Sequence, residues 1–121
     1  MSLSVIVITL NASRSIGACL ASVSFADEII VLDSGSTDNT LELCRKYTEK
    51  VHSAAAWPGF GPQKNRALEM AYGEWILSLD ADEEVSPALR ADLAAFFARG
   101  DHTRYVAARF PRKVWFIDRW I

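Results

Sequence analysis

Two acids one residue apart, Asp80 and Asp82, close a short apolar run, Trp75-Ile76-Leu77-Ser78-Leu79, and two more acids, Glu83 and Glu84, follow. The run has the length and character of a buried strand. A strand that ends in Asp-x-Asp carries both acids to its carboxyl edge, where open α/β sheets bind ligands. Side chains alternate along a strand, so Asp80 and Asp82 are expected on one face, with Ala81 turned away. Two carboxylates on one face repel unless a cation lies between them. Mg2+ or Mn2+ suits that place, because hard cations take oxygen ligands and bridge phosphates. The same acids also fit a solvated turn ahead of a helix cap, and the spacing alone does not separate the two.

The elements that would position these acids alternate along the chain. Ser4–Leu10 is almost uniformly apolar and β-branched, as a strand covered on both faces requires. Asn11 and Ser13 supply caps for a helix over 15–22, with Ile16, Leu20 and Val23 at helical spacing. Glu28–Asp33 reads as a second strand, ending in Asp33-Ser34-Gly35-Ser36-Thr37-Asp38, where Gly35 permits a tight turn. Ser36 or Asp38 can cap a helix that runs to about Tyr47, and a short strand follows over 50–53. Trp57-Pro58-Gly59-Phe60-Gly61-Pro62 is a loop by its breakers, and Trp57 and Phe60 either stack on a ligand or pin that loop. Pro62 opens a helix over 63–72 that Gly73 is expected to end. After the strand 74–80, Ser86-Pro87 starts a helix with Leu89, Leu93, Phe96 and Phe97 on one stripe, ended by Gly100. A fifth strand is expected over 105–110. The resulting β-α-β-α-β-α-β-α-β order implies a mostly parallel sheet with helices on both faces and right-handed crossovers.

At 121 residues the chain makes one domain at most, large enough for a real core. Its net charge of −2 conceals an asymmetry. Residues 1–98 carry seven Lys/Arg against thirteen Asp/Glu, and residues 99–121 carry six against two. No apolar run approaches the roughly 18 residues of a membrane-spanning helix, and no signal peptide is expected ahead of Ser4. Cys19 and Cys44 are isolated in predicted helices and read as buried thiols of a reducing compartment.

Four stretches, taken in order, resemble the amino-terminal half of a family 2 glycosyltransferase. They are Val5-Ile6-Val7-Ile8-Thr9-Leu10-Asn11, Val31-Leu32-Asp33-Ser34-Gly35-Ser36-Thr37-Asp38, Gly61-Pro62-Gln63-Lys64-Asn65-Arg66-Ala67-Leu68 and Gly73-Glu74-Trp75-Ile76-Leu77-Ser78-Leu79-Asp80-Ala81-Asp82. The Trp57-to-Gly61 loop ahead of Lys64 is further similar to bacterial enzymes that add sugars to the lipopolysaccharide inner core. The resemblance implies a truncated GT-A fold, a three-layer α/β/α domain with a mostly parallel sheet. Residues 1–98 would form the nucleotide-sugar-binding unit, and residues 99–121 the start of an acceptor-side half.

What the resemblance implies for function is transfer from a nucleotide sugar, usually a uridine diphosphate sugar, with inversion at the anomeric carbon. Thr9 would lie near the nucleotide, and Asp33 would hydrogen-bond the uracil ring or ribose. Lys64 would face the base or phosphates, Asp80 would reach the ribose, and Asp82 would bind the divalent metal, Mg2+ or Mn2+. The acceptor would be a glycan or glycolipid, with no nucleic-acid partner, and the protein would work in the cytoplasm at the inner face of the membrane. Many relatives carry Asp where Ser34 stands and Glu where Ala12 stands. No acid after Glu84 matches the family's general base, which is expected beyond Ile121.

Plainer readings compete at each position. Thr9 also suits strand packing, Asp33 a turn, Asp38 a helix cap, and Lys64 with Arg66 a solvated helix face. Glu83 and Glu84 are expected behind the site or in solvent, and His52 and His102 receive no role. A phosphatase using Asp-x-Asp would place that motif after the first strand, and a dinucleotide-binding domain would need Gly-x-Gly-x-x-Gly there. Thr9-Leu10-Asn11-Ala12 provides neither. The stronger rival is a donor-binding fragment without turnover that self-associates through its aromatic, basic carboxyl-terminal segment. Arg109, Arg112, Lys113 and Arg119, set among Phe110, Trp115, Phe116 and Trp120, also suit an anionic membrane surface or a phosphorylated lipid acceptor, although a core continued by further sequence accounts for the aromatics slightly better.

Overall fold

The computed structural model describes residues 3–54, 59–98 and 113–116. Five strands, β1 (Leu3–Thr9), β2 (Glu28–Asp33), β3 (Val51–Ser53), β4 (Trp75–Asp80) and β5 (Lys113–Phe116), alternate with four helices. The helices are α1 (Ile16–Ser22), α2 (Thr40–Cys44), α3 (Phe60–Met70) and α4 (Pro87–Ala98). The strands form one sheet in the order β3-β2-β1-β4-β5, and every pairing is parallel. The chain therefore winds outward from β1 through β2 to β3, then returns to the other side of β1 as β4. That reversal puts a crevice at the carboxyl ends of β1 and β4, the place where open α/β sheets receive ligands.

Side-chain alternation divides the core into two. Val5, Val7, Ile29, Val31, Leu77 and Leu79 face one layer, packed with Ile16, Cys19 and Leu20 of α1, Cys44 of α2 and Leu93 of α4. Ile6, Ile30, Leu32 and Ile76 face the other, packed with Ala67 and Leu68 of α3. This two-sided cover is why the central strands are apolar at consecutive positions instead of alternate ones.

Several expected boundaries shift for physical reasons. β4 ends at Asp80, and Asp82 lies in the following turn, so strand alternation does not govern its direction. Gly73 does not end α3. The helix stops at Ala71, whose backbone is already extended (ψ 138°). Gly73 is instead where the chain passes β1: an added Cβ would stand 2.5 Å from Ser4 Oγ and 2.8 Å from Ser4 N. α2 closes at Cys44, short of Tyr47. Ser86 caps α4 as expected, accepting the Leu89 N–H on its hydroxyl at 3.0 Å. The fifth strand pairs with β4 over 113–116, while the expected strand 105–110, Gly100, His102, Trp57 and Pro58 lie outside the described residues.

The amino edge is tied by a polar network. Buried Glu28 accepts from Ser4 Oγ (2.6 Å), the Tyr72 N–H (2.9 Å) and Lys50 Nζ. Burial pushes the Glu28 carboxyl up, but the bonds from Lys50, Ser4 and Tyr72 outweigh it and hold the group below the usual carboxylate range. One side chain thereby joins β1, β2, the start of β3 and the α3–β4 connection.

Candidate functional site

A cavity of about 540 Å3 opens at the carboxyl edge between β1 and β4. Ile8 to Ala12 and Ser15 line one side, and Asp80, Ala81 and Asp82 line the other. In register, Ile8 of β1 stands opposite Asp80, and Thr9 stands opposite Asp33 of β2. The sheet thus gathers Thr9, Asp33 and Asp80 within one row of the carboxyl edge, and the turn after β4 adds Asp82.

These residues are placed very differently. Thr9 is 1% exposed and donates its hydroxyl to Asp33 Oδ1 at 2.8 Å. Asp33 is fully buried, and Oδ1 also accepts from Ser36 Oγ (2.5 Å), while Oδ2 accepts from the N–H groups of Gly35 (2.9 Å) and Ser36 (2.7 Å). Burial alone would push this carboxyl up. The bonds from Ser36, Thr9 and Gly35 reverse that and hold it below the usual range. Its four acceptor directions are therefore filled from within the chain, as a turn acid's would be. Gly35, at φ 102°, supplies the left-handed turn that brings its N–H back to the carboxylate.

The two loops beside the cavity are locked to each other. Asn11 has φ 48°, and its Oδ1 accepts the Thr37 N–H at 2.8 Å while its own N–H reaches Ser36 Oγ at 2.8 Å. Asn tolerates this left-handed backbone better than most residues. The Ala12 N–H donates to Thr40 Oγ1 (2.9 Å), whose hydroxyl donates to Asp38 Oδ1 (2.5 Å). Asp38 Oδ1 also accepts the Thr40 N–H, but Asn39 stands at the N-cap of α2, so Asp38 clasps the loop ahead of the helix instead of capping it.

On the other side, Asp80 and Asp82 are exposed. Lys64, on α3, places Nζ 3.7 Å from Asp80 Oδ1, with 33% and 55% of the two side chains exposed. An ion pair that open contributes little to the fold and is free to exchange partners. Glu83 turns inward: its Oε1 accepts the Asp80 N–H at 2.8 Å, and its own N–H donates to Asp80 O at 2.9 Å. Burial raises the Glu83 carboxyl, the Asp80 N–H opposes that, and the charges of Asp80 and Asp82 add to the rise. Glu83 thus fixes the turn that presents Asp82, a role the sequence hints at only through an acid three residues after a strand end. Glu84 is exposed. Cys19 and Cys44 are free, buried thiols, pushed up by burial to about 12 and about 11, and neither is a ready nucleophile.

Among the described residues no group of three or more His, Cys, Asp or Glu side chains could hold a metal ion unaided. Two exposed carboxylates at the cavity's edge still match the way Mg2+ binds, through one or two protein carboxylates plus substrate phosphates and water. The residues present therefore fit a divalent ion that arrives with a diphosphate.

Comparison with known proteins agrees with this geometry. The family model described as glycosyl transferase family 2 matches residues 4–118. A lipopolysaccharide core biosynthesis glycosyltransferase of Rhizobium meliloti is 36% identical over 108 residues, covering 82% of this chain and 38% of that protein. The crystal structure of residues 1–349 of Staphylococcus aureus TarS in complex with UDP-GlcNAc superposes with a TM-score of 0.71 at 34% identity, covering 85% of this chain and 32% of that one. Glucosyl-3-phosphoglycerate synthase of Mycobacterium tuberculosis, solved with Mn2+, UDP-glucose and phosphoglyceric acid, gives 0.60 at 28% identity, covering 69% and 35%. The chain spans well under half the length of the curated relatives it matches.

Proposed function

Because the chain belongs to glycosyl transferase family 2 and has the GT-A fold, we propose that its described residues bind a uridine diphosphate sugar for inverting transfer to a glycan or glycolipid of the cell envelope. The observation that carries this reading is the cavity at the sheet's switch point, lined by two exposed carboxylates, one of which pairs with Lys64. The TarS and phosphoglycerate-synthase structures, bound to uridine diphosphate sugars, support the donor class. The Rhizobium relative supports a lipopolysaccharide pathway. In this reading the protein acts at the cytoplasmic face of a membrane. No helix among the described residues is long and apolar enough to cross one.

In inverting transfer the acceptor oxygen forms its bond to the anomeric carbon from the face opposite the diphosphate. The bond from that carbon to the diphosphate oxygen breaks, and its electron pair leaves with the nucleotide. Negative charge therefore grows on the diphosphate, where a fixed cation stabilises it most. Lys64 stands at the site's rim for that purpose, and Asp80 holds its ammonium until phosphate takes over. A bound Mg2+ or Mn2+, held by Asp82 with Asp80 beside it, would supply Lewis-acid stabilisation of the same charge. The acceptor's proton needs a base. Glu83 is occupied with the Asp80 N–H, and Asp80 and Asp82 face the donor. We assign the base to the part of its relatives' length that this chain does not span, and these residues alone then bind donor without transferring sugar.

Two measurements test the reading. Calorimetric titration should show uridine diphosphate binding in Mn2+ that weakens at least tenfold in chelator. A radiolabelled donor assay should show no transfer by the 121-residue chain. Metal-independent binding, or none, would remove the proposed donor site.

A further inference from the structure

Gln63 is a polar side chain with 0% exposure, and donor binding as described above makes no use of it. It lies in the first turns of α3, one residue before Lys64. Both ends of its carboxamide are engaged. Arg66 Nη1 donates to Oε1 at 3.3 Å, and Nε2 donates to Ser34 Oγ at 3.1 Å. Arginine can only donate, so the amide end facing it must be the oxygen, and the end facing Ser34 must be the NH2. Ser34 Oγ therefore accepts, and its own proton must point elsewhere. Among the described residues no acceptor takes that proton. Ser34 itself is fixed: its N–H donates to Thr9 O at 3.0 Å, which seats it just past the end of β2, beside β1. Asp80 seats itself beside β1 on the opposite side. Ser34 lies two strands from Asp80 and two residues further along the register, so two interstrand spacings and two residue rises put the positions roughly 11–12 Å apart. A nucleoside diphosphate can bridge such a span, with its phosphates at Lys64 and Asp80 and its nucleoside toward Ser34.

We infer that Gln63 is a positioning residue that, through the Arg66–Gln63–Ser34 chain, turns the Ser34 hydroxyl into a donor for an oxygen atom of the bound nucleoside. The inference rests on the donor site proposed above and adds the residue that orients its nucleoside end. Gln63→Glu tests it by reversing polarity without changing shape. The introduced carboxylate still accepts from Arg66, but it now also takes the Ser34 proton, so the hydroxyl has none to offer a ligand.

The 121-residue chain and its variants would be titrated in Mn2+ with uridine diphosphate and, separately, with inorganic pyrophosphate. Gln63→Glu and Ser34→Ala should each weaken uridine diphosphate about tenfold, leave pyrophosphate unchanged, and show no further loss when combined. Should Gln63→Glu fail to fold, Gln63→Met frees the hydroxyl to rotate, and about a threefold loss for uridine diphosphate alone is expected. Unaltered uridine diphosphate affinity in Ser34→Ala, additive losses in the double variant, or equal losses for both probes would overturn the inference. An unaltered chain that binds pyrophosphate but not uridine diphosphate would overturn the donor reading and this inference with it. Normal uridine diphosphate binding that none of these substitutions affects would overturn the inference alone.

Discussion

Replacing Asp33 by Ala removes a buried carboxylate that accepts four hydrogen bonds. The four donors fare differently. Gly35 is exposed and Ser36 half-buried, so water can reach their groups. Thr9 is buried, so its hydroxyl is left without a partner, at about 1–3 kcal/mol. The lost charge-assisted bonds to Ser36 and Gly35 add about 1.5 kcal/mol, since rehydration recovers part of each. A total near 3–4 kcal/mol would be a large share of an ordinary domain's stability. Asp33→Asn should be far milder. An amide nitrogen in the Oδ1 place can donate to the two hydroxyls, which rotate to accept, while the amide oxygen keeps both N–H donors. The cost falls to about 1 kcal/mol, the loss of charge assistance. The pH sign separates the two states of the acid. Its folded pKa is lower than its unfolded value of about 3.9, so its contribution is complete above that value and is lost as pH falls through the folded pKa. Urea unfolding followed from pH 7 to pH 3 should therefore show a shallower acid limb in Asp33→Asn than in the unaltered chain. An Asp33→Ala protein within 0.5 kcal/mol of the unaltered stability, with weakened nucleotide binding, would refute this reasoning and return the carboxylate to the ligand.

Other substitutions probe the frame. Gly73→Ala drives a methyl into Ser4 and should cost about 1–3 kcal/mol in urea unfolding, with the loss reduced when Ser4→Ala is added. Glu28→Gln keeps the acceptor for Ser4 and Tyr72 but turns an NH2 toward Lys50, so Lys50 swings into solvent at a cost of about 1–2 kcal/mol. Because the Glu28 carboxyl is held low in the folded chain, this variant should also lose part of the destabilisation seen below pH 4.

The sheet was legible because parallel strands covered on both faces leave an unmistakable pattern. Val5 to Ile8 and Ile29 to Leu32 are apolar without alternation, Trp75 to Leu79 is broken only by Ser78, and each reads as a strand within a residue or so. Asp80 was equally legible, because it is the first acid after such a run. What stayed hidden depends on neighbours remote in sequence. Gly73 looks like a helix terminator by position, and only the approach of Ser4, 69 residues earlier, gives its real reason. Asp33 looks like an open strand-end acid until Thr9, 24 residues away, donates to it. Glu83 and Gln63 belong to one class: polar side chains that turn inward to fix a backbone or a hydroxyl. Local pattern assigns such residues to the surface, because burial of a polar group is decided by the partner it meets. The strand expected over 105–110 lies outside the described residues, and the pairing of 113–116 with β4 was not read from the sequence. Sheet pairing is selected by the partner strand as much as by propensity.

The most direct test of the donor site compares uridine diphosphate titrations of the unaltered chain and Asp82→Asn, each in Mn2+ and in chelator. Asp82 is exposed and sits in a turn at the cavity, so its amide should leave folding unchanged and alter only what reaches the cavity. A metal-mediated site predicts that the substitution weakens binding about tenfold or more in Mn2+, roughly 1.4 kcal/mol, and changes it little in chelator. Equal affinities for the two proteins in Mn2+ would contradict a divalent ion held by Asp82 between this chain and a diphosphate.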